Sequence, residues 1–386
     1  MNNHRARARK LREAARQSPW WWLPPAGVLI LALALAALAH NGGFDALRRY
    51  LHYGRAGNYS AQALYRYEPS ASNRFALLGE SLVVLSDTNV SLIGANGLEI
   101  WSTSVRMSAP ALYAANGRAV AYDVGGTELH LLDASGELLA LENGEDEPFL
   151  SARLNRNGWL TVVSGERRGK NLVQVYNASQ KLTFAYYAST RFVLDAVATD
   201  DNGRLAMLAL GQEDGAFVSD LLFYRLNEEE READCLLPDA LALEIAQKAS
   251  SLTVVADTCV LSVRTGGELR ARYEYEGDHL REYDCGGDGF TALVLNRYAS
   301  GSVGRLVTVD ANGEELGSLD VREEILGLSA AGHYLAVLYA DRLVVYHPSL
   351  QPYASLTGTD GLQDILMGTD GSVLMLGASS ATLFLP

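Results

Sequence analysis

The sequence predicts an all-β fold, an eight-bladed β-propeller preceded by one transmembrane helix, and three observations carry that expectation. After residue 60, a unit of roughly 40 residues with four short strands recurs eight times, which is the pattern of one propeller blade per unit. The last unit stops at Pro386 one strand short, while a spare strand, Ala63–Glu68, stands before the first unit. Before the repeats, Trp20–Ala39 is a run of 20 residues without a charge.

The apolar run comes first in the chain. At about 1.5 Å per residue it spans roughly 30 Å, the hydrocarbon thickness of a bilayer. Trp20, Trp21 and Trp22 stand where an interfacial aromatic belt would lie, and the residues before them are basic. The positive-inside rule keeps that basic tail, residues 1–19, in the cytoplasm and exports everything after the helix. A cleavable signal peptide is the rival reading, since Ala37-Leu38-Ala39 has a small-x-small pattern. The long leader and full spanning length favour an uncleaved anchor. Residues 40–58 then form a stalk, with Phe44–Tyr53 at helical spacing, and residues 59–386 form the propeller.

Within the repeats, four-residue turns join the third and fourth strands: Gly94–Gly97, Asp133–Gly136, Asn177–Gln180, Arg264–Gly267 and Asp310–Gly313. Asp or Asn opens such a turn through its side chain, and Gly supplies the positive φ that closes it. A second set of turns, at Asn116-Gly117, Asn157-Gly158, Asn202-Gly203, Ala331-Gly332 and Asp370-Gly371, ends the inner strands. The runs that follow, such as WLTVV and YLAVLY, are apolar throughout, as strands buried on both faces must be. Inner strands are expected near 73–79, 109–115, 149–155, 192–200, 240–247, 279–285, 323–330 and 362–369. The stretch 228–250 is irregular, and LALEIAQKA within it reads as partly helical, so seven blades is the alternative count. Ala63–Glu68 should close the ring as the outer strand of the last blade, which removes an open edge.

The run Ala95-Asn96-Gly97-Leu98-Glu99-Ile100-Trp101 resembles the quinoprotein-like repeat, in which Trp follows a Gly turn by four residues. Only this unit keeps the Trp. The whole layout is similar to a bacterial family, domain-of-unknown-function 5711, whose members pair a basic tail and one membrane helix with an exported propeller. That resemblance implies a bacterial plasma-membrane location with the propeller extracytoplasmic, and it supplies no activity or catalytic residues.

The net charge of −14 conceals a gradient: residues 1–19 are +5, so the remainder carries −19. An acidic body excludes nucleic acid as a partner, because phosphate neutralisation needs clustered Lys and Arg. Cys235, Cys259 and Cys285 are 24 and 26 residues apart, a spacing that matches no zinc motif. Cys235 and Cys259 fall on adjacent blades and form a candidate disulfide, with free or otherwise paired thiols as the alternative. Quinone dehydrogenases of this fold carry a vicinal cysteine pair, which is absent here. The histidines are scattered, and no HExxH or GxSxG appears. No metal or cofactor is expected.

Loop length is the remaining signal. The connections between second and third strands lengthen in three blades: Gly165–Asn171, Gly211–Ser219 and Arg297–Gly304. Strand alternation puts all three on one face, and insertions grouped on one face of a repeat protein mark a binding face. Arg167, Arg168, Lys170, Phe217, Arg297 and Tyr298 are the candidate binding residues there. The expected function is a non-enzymatic, membrane-tethered scaffold that binds a cell-envelope protein or polymer. An enzyme using the central funnel, a quinone-type oxidoreductase or a hydrolase, is the alternative. Convergent carboxylates or histidines with shifted pKa in the funnel would favour the alternative.

Overall fold

Apolar runs that follow the first turn of each repeat become strands buried along nearly their whole length, among them Ser81–Leu85, Leu160–Gly165, Ser251–Ala256, Phe290–Asn296 and Tyr334–Tyr339. Each is the second strand of a four-stranded antiparallel sheet, with its own hairpin partners beside it and a neighbouring sheet on either face. The computed structural model describes residues 45–53, 59–60 and 65–386, apart from 168, 214, 229 and 249. Seven such sheets occur, with an eighth of three strands that N-terminal pieces complete: blades 1 to 8 comprise residues 74–104, 110–142, 149–188, 192–237, 242–274, 279–321, 325–357 and 364–385. Each blade runs outward in chain order, and the first strands of successive blades pack against one another around the axis. The propeller is one compact unit from Asn58 to Pro386.

The turn chemistry follows the sequence. Gly97, Gly267 and Gly313 take φ of 76°, 92° and 76° and donate back to Gly94, Arg264 and Asp310. Gln180 occupies the same position in blade 3 at φ 59°, a left-handed conformation that costs a side chain more than a glycine. Its hairpin still closes, through the Asn177 side chain, which accepts from the amides of Ser179 and Lys181.

Residues 228–250 hold no helix among the described residues. Instead Ala242–Lys248 is the first strand of blade 5, which settles the count at eight. A register slip between Ala242 and Glu244 interrupts the two-residue period, so the buried Ala242 and Ile245 fall three apart and imitate helical spacing.

Ring closure matches the expectation and extends it. The third strand of blade 8, Ser380–Leu385, receives two short N-terminal pieces along its outer side. Tyr59 and Ser60 pair with Leu385 and Phe384, and Tyr65 and Arg66 pair with Ala381 and Ser380. Closure therefore begins at Tyr59, earlier than Ala63. Tyr65 is 4% exposed, packs with Leu82 and Val84 of blade 1 and Leu374 and Leu376 of blade 8, and donates to the carbonyl of Glu80 at 2.6 Å. Tyr67 donates to the carbonyl of Gly377 at 2.8 Å. One strand thus bonds the last blade to the first.

Before the propeller, residues 40–58 contain one described helix, α1 (Asp45–Tyr53), with Asp45 in its first turn, where a carboxylate meets the helix N-terminal amides. Among the described residues no helix is long and apolar enough to cross a membrane, and Trp20–Ala39 lies outside them.

Removing residues 1–58 is expected to leave a soluble, cooperatively melting propeller, because the closing pairs from Tyr59 onward survive. Removing residues 1–70 strips Ser380–Leu385 of its outer partner and should cause aggregation or a marked loss of stability. The single change Tyr65→Ala should cost about 3 kcal/mol in urea unfolding. Equal melting temperatures for the two truncations would refute closure by this strand.

Candidate functional site

The first strand of each blade faces the axis, and five successive blades place polar side chains there that bond to one another. Arg153 of blade 3 lies at the centre. Its guanidinium is 3.0 Å from Asp195 of blade 4 and 2.9 Å from Glu244 of blade 5. Tyr283 of blade 6 donates to the other oxygen of Glu244 at 2.8 Å, and the guanidinium lies 5.1 Å from the ring centre of Tyr113 in blade 2. Asp195 also accepts from Ser151 and from the amides of Ala196 and Ile245. Burial opposes the charge on Arg153, but Asp195 and Glu244 more than offset that and hold its pKa above the ordinary value. These residues form a satisfied network, which the low-dielectric interior strengthens.

Below it, Lys248 donates to the carbonyls of Cys285 and, at 2.6 Å, Gly287, tying blade 5 to blade 6. Asp284 accepts from the amides of Gly286 and Ala330, tying blade 6 to blade 7. The turns at this end also bond across blades. Arg118 reaches the carbonyls of Gly158 and Ala178 at 2.9 and 2.8 Å, and Asn155 reaches Thr199 and Asn202.

The other end of the axis, where the chain enters each first strand, is built differently. In blades 3 to 7 the pairing of the first and second strands slips by one residue at the same place, leaving Leu150, Leu194, Leu243, Arg281 and Leu326 unpaired. A bulge re-aims its extra side chain, and repetition in five blades makes a collar around the mouth. Leu243 and Leu326 are 46% and 39% exposed there. No local composition signal marks these bulges.

All the candidate binding residues that are described lie on this entry face. Arg167 pairs with Asp146 at 2.8 Å, and Lys170 sits 4.3 Å from the ring centre of Phe192. Phe217 and Tyr298 are 75% and 63% exposed, and Arg297 is exposed. Arg168 lies outside the described residues. The structure brings Lys170 of blade 3 beside blade 4, whereas Arg297 and Tyr298 lie two blades away on the loop of blade 6. There a cavity of about 440 Å³ is lined by Arg281, Asn296, Ser300, Ser302, Glu323 and Glu324, among others.

Gly211–Ser219 is not a loop. The second and third strands of blade 4, Arg204–Glu213 and Ala216–Arg225, are ten residues each and stay paired to Glu213↔Ala216, while the blade's outer strand ends at Leu237 opposite Ser219. The elaboration is a projecting ribbon with Phe217 near its tip. The Asp214-Gly215 dipeptide is the sequence signal of this two-residue hairpin.

Cys235 and Cys259 are both buried in one apolar cluster between blades 4 and 5, and both are free thiols in the structure. Burial raises the pKa of each, and it pushes Cys285 up to about 12. Such thiols are poor nucleophiles. His130 is held by Glu137 at 2.7 Å and His347 stacks with Tyr334 and Tyr353, away from the axis. Among the described residues no group of three or more His, Cys, Asp or Glu is placed to hold a metal ion. The acidic stretch 227–232 is engaged by arginines: Arg204 and Arg225 grip Glu232 and hold its pKa near 2.

Residues 53–348 match the sequence profile of DUF5711, a family of unknown function. The chain belongs to this family. The matched span runs from the end of α1 to just beyond the third strand of blade 7. Among solved structures the chain is similar to the C-terminal WD40 domain of Sif2, at 15% identity and a TM-score of 0.58 over 84% of this chain and 98% of that one. It is also similar to BamB from Moraxella catarrhalis, at 13% identity and a TM-score of 0.52 over 84% of this chain and 99% of that one. At such identities the likeness shows the propeller fold alone. Comparison with curated proteins gave no match.

Within this DUF5711 propeller, two axial carboxyl groups are held in states that water would not favour. Burial, with the charge of Asp364 adding to it, raises Glu282 from 4.5 to about 7. Burial raises Asp284 to about 6, against the pull of its two amide donors. A carboxyl with a raised folded-state pKa binds more protons in the native than in the unfolded chain. Its stabilisation is complete below the unfolded value of 4.5 and is lost as pH rises through about 7. The propeller should therefore be more stable at pH 5 than at pH 8, by on the order of 1–3 kcal/mol. Glu282→Gln should remove most of that difference in denaturant titrations. A variant retaining the full difference would show that Glu282 is not its source.

Proposed function

We propose that the protein is a non-enzymatic, membrane-tethered, extracytoplasmic scaffold whose entry face binds another envelope protein or polymer. The observation that carries this reading is the contrast between axis and face. Around the axis, Arg153, Asp195, Glu244 and Tyr283 satisfy one another. On the face, Phe217 and Tyr298 stand in solvent, and the bulged Leu243 and Leu326 are exposed as well. Exposed aromatic residues on a rigid frame suit protein recognition. The tether rests on the basic tail and the 20 uncharged residues that follow it.

One observation favours the second reading, a hydrolase acting in the funnel: Glu282 and Asp284 have pKa values near 7 and 6, and perturbed carboxyl groups gather at catalytic sites. Complementation of a strain lacking the gene separates the two readings. A scaffold requires Glu282→Gln and Tyr283→Phe to restore function in full while entry-face substitutions fail. The opposite pattern would place the function in the funnel and overturn the scaffold. For the tether, carbonate washing of membranes should leave the chain in the pellet, and release into the supernatant would refute an integral anchor.

A further inference from the structure

The exposed apolar residues of the entry face are concentrated on three adjacent blades. Tyr187 is the next-to-last residue of the outer strand of blade 3, and Phe192 opens the first strand of blade 4. Phe217 lies on the ribbon of blade 4, Leu236 closes toward the end of that blade's outer strand, and Leu241 and Leu243 lead into blade 5. Bonds and register link these positions continuously. The amide of Lys170 donates to Ala188, next to Tyr187, at 2.9 Å, and the Lys170 ammonium covers the ring of Phe192. Phe192 pairs with Leu210, two residues before Gln212, the partner of Phe217. On the other side Ser219 pairs with Leu237 and its hydroxyl accepts from the amide of Ala242. Exposed apolar residues at the opposite end, such as Leu98, Leu182 and Leu269, sit instead at the start of separate outer strands of blades 1, 3 and 5, Leu98 in the turn just before Glu99. They form no comparable group.

Charge around the patch is predominantly acidic. Glu145 on the approach to blade 3, Asp239 before blade 5 and Asp257 within it are exposed, Asp146 and Arg167 neutralise each other, Arg191 is paired with Asp220, and the Lys170 ammonium packs on an aromatic ring. The body of the chain carries −19 beyond residue 19. A second copy of this chain would bring like charge against like charge, and an anionic bilayer would be repelled for the same reason.

Deepening the scaffold reading, on which it rests, we propose that the entry face over blades 3 to 5 is a docking surface anchored on Phe217, and that its occupant is a protein segment carrying an apolar side chain flanked by lysine or arginine. The ribbon extends past the outer strand of its blade and carries Phe217 near its tip. An aromatic residue at the centre of such a patch is the type that dominates interface energetics. The acidic frame speeds encounter with a basic segment and makes it depend on salt.

The test places a photo-crosslinking phenylalanine analogue in the full chain, expressed in its own cells, at position 217, at 298 on the same face, or at 353 on the opposite end. The expected result is a crosslink from 217 to a protein segment with an apolar residue beside Lys or Arg. A synthetic peptide of that segment should then bind the full chain roughly 10- to 30-fold more weakly after Phe217→Ala, near normally after Phe217→Trp, and more weakly as salt rises. Since Phe217 is 75% exposed, neither substitution should alter the fold. Crosslinks from 298 alone would overturn this docking surface and leave the scaffold reading standing. Crosslinks to lipid, to glycan or to a second copy would overturn the proposed occupant. Absence of any crosslink from all three positions would overturn both readings.

Discussion

Every part of this propeller depends on the fact that a blade cannot bury its own faces. A four-stranded sheet with apolar residues on both sides is stable only between two others, so an open row would leave two such faces in water. Closing the ring removes both at once. In this chain the joint rests on four residue pairs along Ser380–Leu385, on the buried ring of Tyr65 and on its bond to Glu80. The covalent chain supplies the other seven seams. The one seam without a direct connection is the one where the N-terminal strand crosses from blade 1 into blade 8.

The axis poses a second problem, because eight sheets that wedge outward leave a channel where their inner edges meet. Here that channel is lined by charge. A lone arginine in such a place would carry a severe desolvation penalty, so Arg153 is stable only with both Asp195 and Glu244 beside it. The arrangement ties blades 2 to 6 through side chains, while Lys248 and Asp284 add ties between blades 5, 6 and 7. Glu282 is the exception. Its carboxyl is desolvated without a cationic partner equal to the burial, and its pKa rises accordingly. Stability and any residual chemistry in the funnel meet at that residue.

The two ends of the axis solve different problems. Short turns at one end bond directly across blades and hold the seams. At the other, repeated bulges, a projecting ribbon and longer connections move side chains outward into solvent, where a rigid frame can present them. The structural analogues share the frame at 13–15% identity, which explains why membership of DUF5711 and the propeller fold together leave the ligand open.

The amino-acid sequence by itself determined the propeller fold, most of its turns and the presence of a closing N-terminal strand, because each is a local pattern along the chain. The choice of eight blades over seven and the start of closure at Tyr59 waited on the pairing of strands. Alternating apolar runs, Asn-Gly turns and a missing fourth strand are readable within windows of a few residues. It also singled out the entry face, since loop length and strand direction suffice to place it. Three features were decided only by tertiary structure. The first strand of blade 5 looked helical because one bulge at Leu243 shifts the apolar period, and whether a residue is bulged depends on its partner strand. The ribbon of blade 4 looked like a loop because its pairing continues past the end of the outer strand. The axial network joins residues 39 to 91 positions apart. No spacing rule links Arg153 to Glu244 or Glu244 to Tyr283. They meet because successive blades bring the same level of their inner strands to one axis, and only closure of the ring sets that distance.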